Sequence, residues 1–210
     1  LIGGGNFISA LLSKDGQNLY LLDKDGEQVY IVDTQGKVVR IIPFKGAEAR
    51  EMILRPDGNQ LIILGPQDNS LEMIDLKQTA PTLKNIEFQD FGILIKGVFT
   101  KDSRHLFILT SSPEHTVVIL DAKTFQVVKT IPWDRLEESA EGALIADEHC
   151  FAFITGNSEE LELVDPISGR VLHLPFSKFT PTRIVYEKGA PVCLLGDDRV
   201  VYVHDGDKYL

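Results

Sequence analysis

One aspartate recurs along this chain at a nearly constant interval, and that interval narrows the possible architectures sharply. Asp33, Asp75, Asp121, Asp165 and Asp205 lie 42, 46, 44 and 40 residues apart. A second landmark keeps the same phase, because the residues eighteen places earlier are Asp15, Asp57, Ser103, Asp147 and Glu187. The third copy carries one extra residue in its SSPEHT loop, so its turn aspartate is Asp102. The copies end on Phe44, Phe88, Trp133 and Phe176, and the fifth stops short at Leu210. Self-similarity at such a period marks a repeat architecture, in which each copy is one supersecondary unit.

Within each copy the pattern is that of strands. Short runs rich in Val, Ile, Leu, Phe and Tyr are separated by turn residues. LYLL, LIIL and LFIL are apolar at successive positions, as strands covered on both faces must be. Asp15-Gly16 and Asp57-Gly58 supply the positive-φ chemistry of a tight turn. Each copy therefore reads as a four-stranded antiparallel meander, with strands A to D in chain order. A lone sheet with two apolar faces buries neither, and stacking copies about an axis solves this. Four strands in about 40–45 residues is the signature of a β-propeller blade. The expected fold class is all-β, a propeller with about five blades in this chain. The blades fall near 8–44, 51–88, 96–133, 141–176 and 182–210, with residues 1–2 closing an earlier D strand, in a single propeller domain or segment.

The residues TKDSRHLFILTSSPEHTVVILDAKTFQVVKTI resemble the YVTN-type β-propeller repeat. RPDGNQLIIL and VYIVDTQGKVVRII match parts of the same pattern: a polar turn, a second strand, a Val-Ile-Asp third strand and a Gly-Lys-Val-Val fourth strand. The Trp-Asp dipeptide of WD repeats is absent at the end of the third strand, so the chain is WD-repeat-like in architecture only. These motifs are turns and core strands, so the resemblance implies fold more than function. Proteins that resemble this repeat are often exported in bacteria and archaea. They include lactonase-like hydrolases and quinone-linked dehydrogenase subunits, and their rings commonly hold about seven blades. Leu1 aligns with the end of a D strand and Lys208 to Leu210 with the start of one. Two arrangements follow: the ends meet in a closed five-blade ring, or the chain is a segment of a larger propeller. The segment is the preferred expectation, although an open segment exposes apolar blade faces. The chain begins at Leu1, not Met, which is compatible with a leader or an upstream region.

Composition bears on partners. A net charge of −10 over 210 residues opposes a nucleic-acid partner, whose phosphates require a basic face. It equally opposes an anionic membrane surface, and no apolar run approaches the ~18 residues of a membrane span. The B–C loops and D–A crossings of an up-and-down blade lie at one end, and the A–B and C–D turns at the other. The loop end holds fifteen carboxylates against eight Lys and Arg. They concentrate in Asp134, Glu137, Glu138, Glu141, Glu159 and Glu160, with Asp197 and Asp198 one blade on. An acidic funnel suits a basic protein segment or a cation, whereas a solvated rim needs no partner at all.

Other features read as structural. DKDGE from Asp23 to Glu27 has a faint calcium-loop spacing but lacks the remaining ligands and the closing Glu, so an Asp-Gly hairpin turn is expected. The five registering aspartates recur identically, which suits carboxylates capping the C–D turn better than catalysis. His105 and His149 are equivalent in successive copies, while His115, His173 and His204 are not, and no pair has metal-motif spacing. Cys150 and Cys193 lie in apolar strand-like runs, where buried free thiols are expected. Their positions are offset by three residues, about 10 Å along a strand, too far for a disulfide. Gly3 to Gly5 fall in a D–A crossing and not between a strand and a helix, so they cradle no phosphate. Trp133 takes the place of Phe44, Phe88 and Phe176, between blades. No catalytic, cofactor or metal motif emerges. The leading expectation is a non-catalytic interaction or scaffold module, binding a protein or small ligand through the acidic loop end. The alternatives are a propeller enzyme of the classes above and a structural repeat of a larger surface protein.

Overall fold

The computed structural model describes residues 5–46, 48–65, 69–78, 83–88, 91–111, 115–132, 145–146, 151–154, 160–164, 169, 171–175, 183–187, 190–196, 199–205 and 208–209. All regular structure among them is β-strand. The chain divides into two compact units, Leu1–Thr130 and Ile131–Leu210. The first holds three four-stranded antiparallel sheets, each in chain order. They are β1 (Phe7–Leu12), β2 (Asn18–Asp23), β3 (Gln28–Asp33) and β4 (Val38–Pro43); β5 (Glu51–Leu54), β6 (Gln60–Leu64), β7 (Ser70–Asp75) and β8 (Leu83–Glu87); and β9 (Ile93–Phe99), β10 (His105–Ser111), β11 (Thr116–Asp121) and β12 (Val127–Pro132). The second unit holds two more such sheets. These are β13 (Ile145–Ala146), β14 (Phe151–Ile154), β15 (Glu160–Val164) and β16 (Val171–Pro175), then β17 (Arg183–Glu187), β18 (Ala190–Gly196), β19 (Arg199–Asp205) and β20 (Lys208–Tyr209). First strands of consecutive sheets are neighbours: β1 beside β5, β5 beside β9, and, within the second unit, β13 beside β17. Meanders whose first strands adjoin are propeller blades. The fold is an all-β propeller of four-stranded antiparallel blades.

The middle sheet of the first unit shows why its strands are apolar on both faces. Leu61 and Ile63 of β6 enter one core with Leu22, Val29, Ile31 and Ile42 of the first sheet. Ile62 and Leu64 of the same strand enter a second core with Leu94, Leu106, Val118 and Leu120 of the third. Side chains of a strand alternate between faces, so one run of Leu-Ile-Ile-Leu serves two interfaces. All four are fully buried, each stabilising by about 1.5–3 kcal/mol relative to exposure. Phe44 and Phe88, which follow β4 and β8, are buried in the first and second of these cores, as expected of aromatic residues closing a D strand. Trp133 and Phe176 lie outside the described residues. The far face of the first sheet is different. Leu19 is 36% exposed and Leu12 62%, whereas Leu61, the counterpart of Leu19 one repeat on, is at 0%.

Carboxylates organise the turn end. In the first A–B turn Asp15 accepts from the Ser13 hydroxyl (2.6 Å) and the Gln17 N–H (3.0 Å). In the third, Asp102 accepts from the Thr100 hydroxyl (2.6 Å) and the Arg104 N–H (2.9 Å), which establishes Asp102 as the counterpart of Asp15. The next residue takes positive φ in all three blades of this unit: Gly16 at 72°, Gly58 at 80° and Ser103 at 61°. The registering aspartates of the C–D turns do the capping expected of them. Asp33 accepts from the N–H groups of Gln35 and Lys37, Asp75 from that of Lys77, and Asp121 from those of Lys123 and Thr124. Asp165 lies outside the described residues, as does the Asp205 side chain.

Arg55 ties the second blade to the third at this end. Its guanidinium donates to Gln60 Oε1 (2.9 Å), the Ala122 carbonyl (3.1 Å) and the Ser103 carbonyl (3.0 Å). Its Nε lies 3.2 Å from Asp57 Oδ2, an ion pair whose angle falls short of a hydrogen bond. A planar fork with several donors suits such a junction, where a lysine could not reach three acceptors in one plane.

Candidate functional site

The B–C loops and D–A crossings meet at the opposite end, and backbone hydrogen bonds tie them together. Lys24 N–H donates to the Asn6 carbonyl (3.0 Å) and Phe44 N–H to the Glu27 carbonyl (2.9 Å). Arg50 N–H donates to the Leu64 carbonyl (3.0 Å) and Phe88 N–H to the Asn69 carbonyl (2.7 Å). This end is built on rigid strands yet made of loops, the arrangement in which binding residues concentrate.

The DKDGE loop is a turn. Asp23 is 5% exposed, and its Oδ1 accepts from the N–H groups of Asn6 (3.1 Å) and Gly26 (3.2 Å). The side chain of Asn6 donates to Asp25 (3.2 Å). A Cβ at Gly26 would lie 2.5 Å from Asp23 Oδ2, and one at Gly5 2.7 Å, so two glycines make room for this carboxylate. With Oδ1 committed to the backbone, Asp23 shapes the hairpin, and among the described residues no cluster of His, Cys, Asp or Glu is grouped to hold a metal ion. Thr110 and Thr116 close the third B–C loop through their hydroxyls at 2.8 Å.

Two glutamates at this end behave differently from Asp15, Asp57, Asp102 and Asp121 at the other. Glu51 opens β5 and accepts from the Gly97 N–H of β9 at 2.9 Å, bridging the first strands of two blades. Burial pushes its carboxyl up from the ordinary 4.5, and the Gly97 N–H and the Lys96 charge offset this in part. Gly97 is closely packed here: a Cβ would lie 2.6 Å from Ile53 Cδ1 and 3.3 Å from the Phe107 carbonyl oxygen, so the Ile53 side chain would have to move. Glu72, in the middle of β7, is 7% exposed. Its Oε1 accepts a long hydrogen bond from the Lys45 N–H (3.4 Å), and its Oε2 is buried with no partner. Burial raises its pKa, the Lys45 amide and charge oppose that, and the nearby Glu27 charge adds to it.

Asp15, Asp57, Asp102 and Asp121 at the turn end shift the other way. Asp15 is lowered by the Ser13 hydroxyl and then the Gln17 N–H. Asp121 is lowered by the Thr124 N–H and hydroxyl and the Lys123 N–H. At Asp57 and Asp102 partial burial acts against the charge. Hydrogen bonds from Asn59 and the Arg55 charge outweigh it at Asp57, and the Thr100 hydroxyl, the Arg104 N–H and the Arg104 charge outweigh it at Asp102.

Of the acidic residues expected to form the site, Asp134, Glu137, Glu138, Glu141, Glu159, Asp197 and Asp198 lie outside the described residues. Glu160 opens β15, its backbone paired with Pro175, and its side chain is likewise outside them. Sequence reasoning missed Glu51, Glu72 and Arg55. A signal existed for Glu72: it interrupts SLEMID at a position filled by Tyr30 and Val118 in the flanking repeats.

No family model matches the chain, and no curated protein matches it. Among solved structures, Kuenenia stuttgartiensis hydrazine synthase superposes with a TM-score of 0.71 at 17% identity, over 92% of this chain and 58% of that one. A structure of U3-55K superposes with a TM-score of 0.69 at 13% identity, over 94% of this chain and 60% of that one. Both are propeller-type folds, and at such identities the likeness concerns the fold alone. The chain spans 58% and 60% of the lengths of these two structures.

Proposed function

We propose that this β-propeller is a YVTN-type, non-catalytic interaction module whose loop end accepts a basic protein segment or a small cationic ligand. The observation that carries the reading is the contrast between the two ends of the first unit. Turn-end carboxylates are occupied by their own backbone N–H and hydroxyl groups, whereas Glu72 and Glu51 at the loop end are held partly dry with incomplete compensation. The charge of Glu72 is left unmet at Oε2 by the fold itself, and a net charge of −10 supplies the long-range attraction. The acidic rim of Asp134, Glu137, Glu138, Glu141, Glu159, Glu160, Asp197 and Asp198 extends the same chemistry in this proposal, and neither nucleic acid nor an anionic membrane suits it.

The test titrates labelled hexalysine into the chain and into a Glu137/Glu138/Glu159/Glu160→Lys variant, with hexaglutamate as the control peptide. The expected result is saturable hexalysine binding that weakens with added salt and falls by roughly tenfold or more in the variant. Equal affinity for the two proteins, or equal affinity for the two peptides, overturns the reading.

A further inference from the structure

We infer that Glu72, together with Glu27 across the Phe44-Lys45 crossing, forms an anchoring subsite for one alkylammonium or guanidinium group, the end of a lysine or arginine side chain. The inference rests on the reading above and assigns it a specific anchor within the first unit.

The geometry is local. Glu27 takes positive φ at 48°, and its carbonyl accepts from Phe44 N–H at 2.9 Å. The next N–H, that of Lys45, points to Glu72 Oε1 at 3.4 Å. The Glu27 backbone carbonyl and the Glu72 carboxylate therefore flank one dipeptide where the chain crosses from the first blade to the second. Gly46, at φ 129°, turns the chain directly after it.

Glu72 is more than nine-tenths buried, and its Oε2 has no hydrogen-bond partner. A buried acceptor without a donor is costly, and more so when it is charged. The fold does not require this cost, because Tyr30 and Val118 fill the same place in the flanking repeats. A ligand that brings N–H donors and positive charge supplies what Oε2 lacks. It also relieves the repulsion between Glu72 and Glu27, which is the sense in which two like charges favour a bridging cation. An amino or guanidino group meets both needs, and its alkyl stem can lie along the apolar core edge. Lys45 is the chain's own nearby cation, and its charge already favours the ionised form of Glu72.

Hexalysine is again the probe, titrated into the wild-type chain, Glu72→Gln and Glu27→Gln. Affinity is expected to fall about tenfold in Glu72→Gln and about threefold in Glu27→Gln. In the wild type, the side-chain carboxyl carbon resonance of Glu72 should move as hexalysine is added, whether or not a variant folds less well. Hexalysine binding that is lost in the charge-reversed rim variant but unchanged in Glu72→Gln, with a static Glu72 resonance, overturns the subsite and leaves the broader reading intact. A wild-type chain that does not bind hexalysine overturns both.

Discussion

The two ends of the blades in the first unit differ in the carboxylates they hold, although Asp23 at the loop end is a turn cap like those at the turn end. At the turn end, Asp15, Asp57, Asp102 and Asp121 each sit within reach of backbone N–H groups, and their pKa values fall below the ordinary 3.8. At the loop end, Glu51 and Glu72 lose water without full replacement, and their pKa values rise above the ordinary 4.5. A carboxylate that accepts several hydrogen bonds is a structural part, and its charge is already spoken for. One that is desolvated and underbonded destabilises the free protein and gains when a cation arrives. The turn aspartates recur in blade after blade, whereas the places of Glu51 and Glu72 hold glutamate again only in the fourth copy, at Glu141 and Glu162.

Breaking the turn end should have the largest effect. Arg55→Ala removes the donors to the Ser103 and Ala122 carbonyls and the ion pair with Asp57. A loss of about 3 kcal/mol in unfolding free energy is expected from denaturant titration, with Arg55→Lys recovering only part of it. A loss under about 1 kcal/mol would mean that the junction between these blades rests on apolar packing alone.

Asp102→Asn tests the same end more finely, with an expected cost of about 1 kcal/mol at neutral pH. The sign with pH follows from linkage. Because the folded-state pKa of Asp102 lies below 3.8, its contribution is present above 3.8 and is lost as pH falls through the folded value. The gap between the wild-type and Asp102→Asn denaturation midpoints should therefore narrow on acidification below 3.8. A gap that is constant with pH would show that Asp102 is not acting through its charge.

The smallest change, and one of opposite sign, is expected at the loop end. Glu51 has a folded-state pKa above 4.5, so the contribution of its neutral form is complete below 4.5 and is lost as pH rises through the folded value. Glu51→Gln keeps an acceptor for the Gly97 N–H and removes the desolvated charge. It should stabilise the chain by about 0.5–1 kcal/mol at neutral pH and by little below 4.5, read from thermal midpoints at both. A variant less stable than wild type at neutral pH would erase the distinction between the two ends.

Much of this was legible in the sequence because it is local and periodic. The aspartate period, the apolar second strands and the Asp-Gly turns each follow from a few neighbouring residues, and five copies let one correct another. The extra residue in SSPEHT moved the turn carboxylate to Asp102, and the hydrogen bonds of Thr100 and Arg104 agree. The acidic rim was legible only as composition, and composition does not say which carboxylates stay wet. Glu72 was visible as a charge inside SLEMID, but its consequence depends on Lys45 and Glu27 of the preceding blade. Arg55 gave no periodic signal, since Ser13 and Thr100 hold its place in the flanking repeats.

The sequence by itself determined the blades: four strands per copy, the turns that join them, and the aspartates that cap those turns. Those interactions close within one repeat, where chain connectivity brings the partners together. Only the tertiary structure decided which carboxylates lose their water, because burial is set by the neighbouring blade and not by the strand that carries the residue. A glutamate on the middle of a third strand is ordinary in the sequence; the Lys45 crossing and the packed faces around it make Glu72 a buried charge with one oxygen unmet.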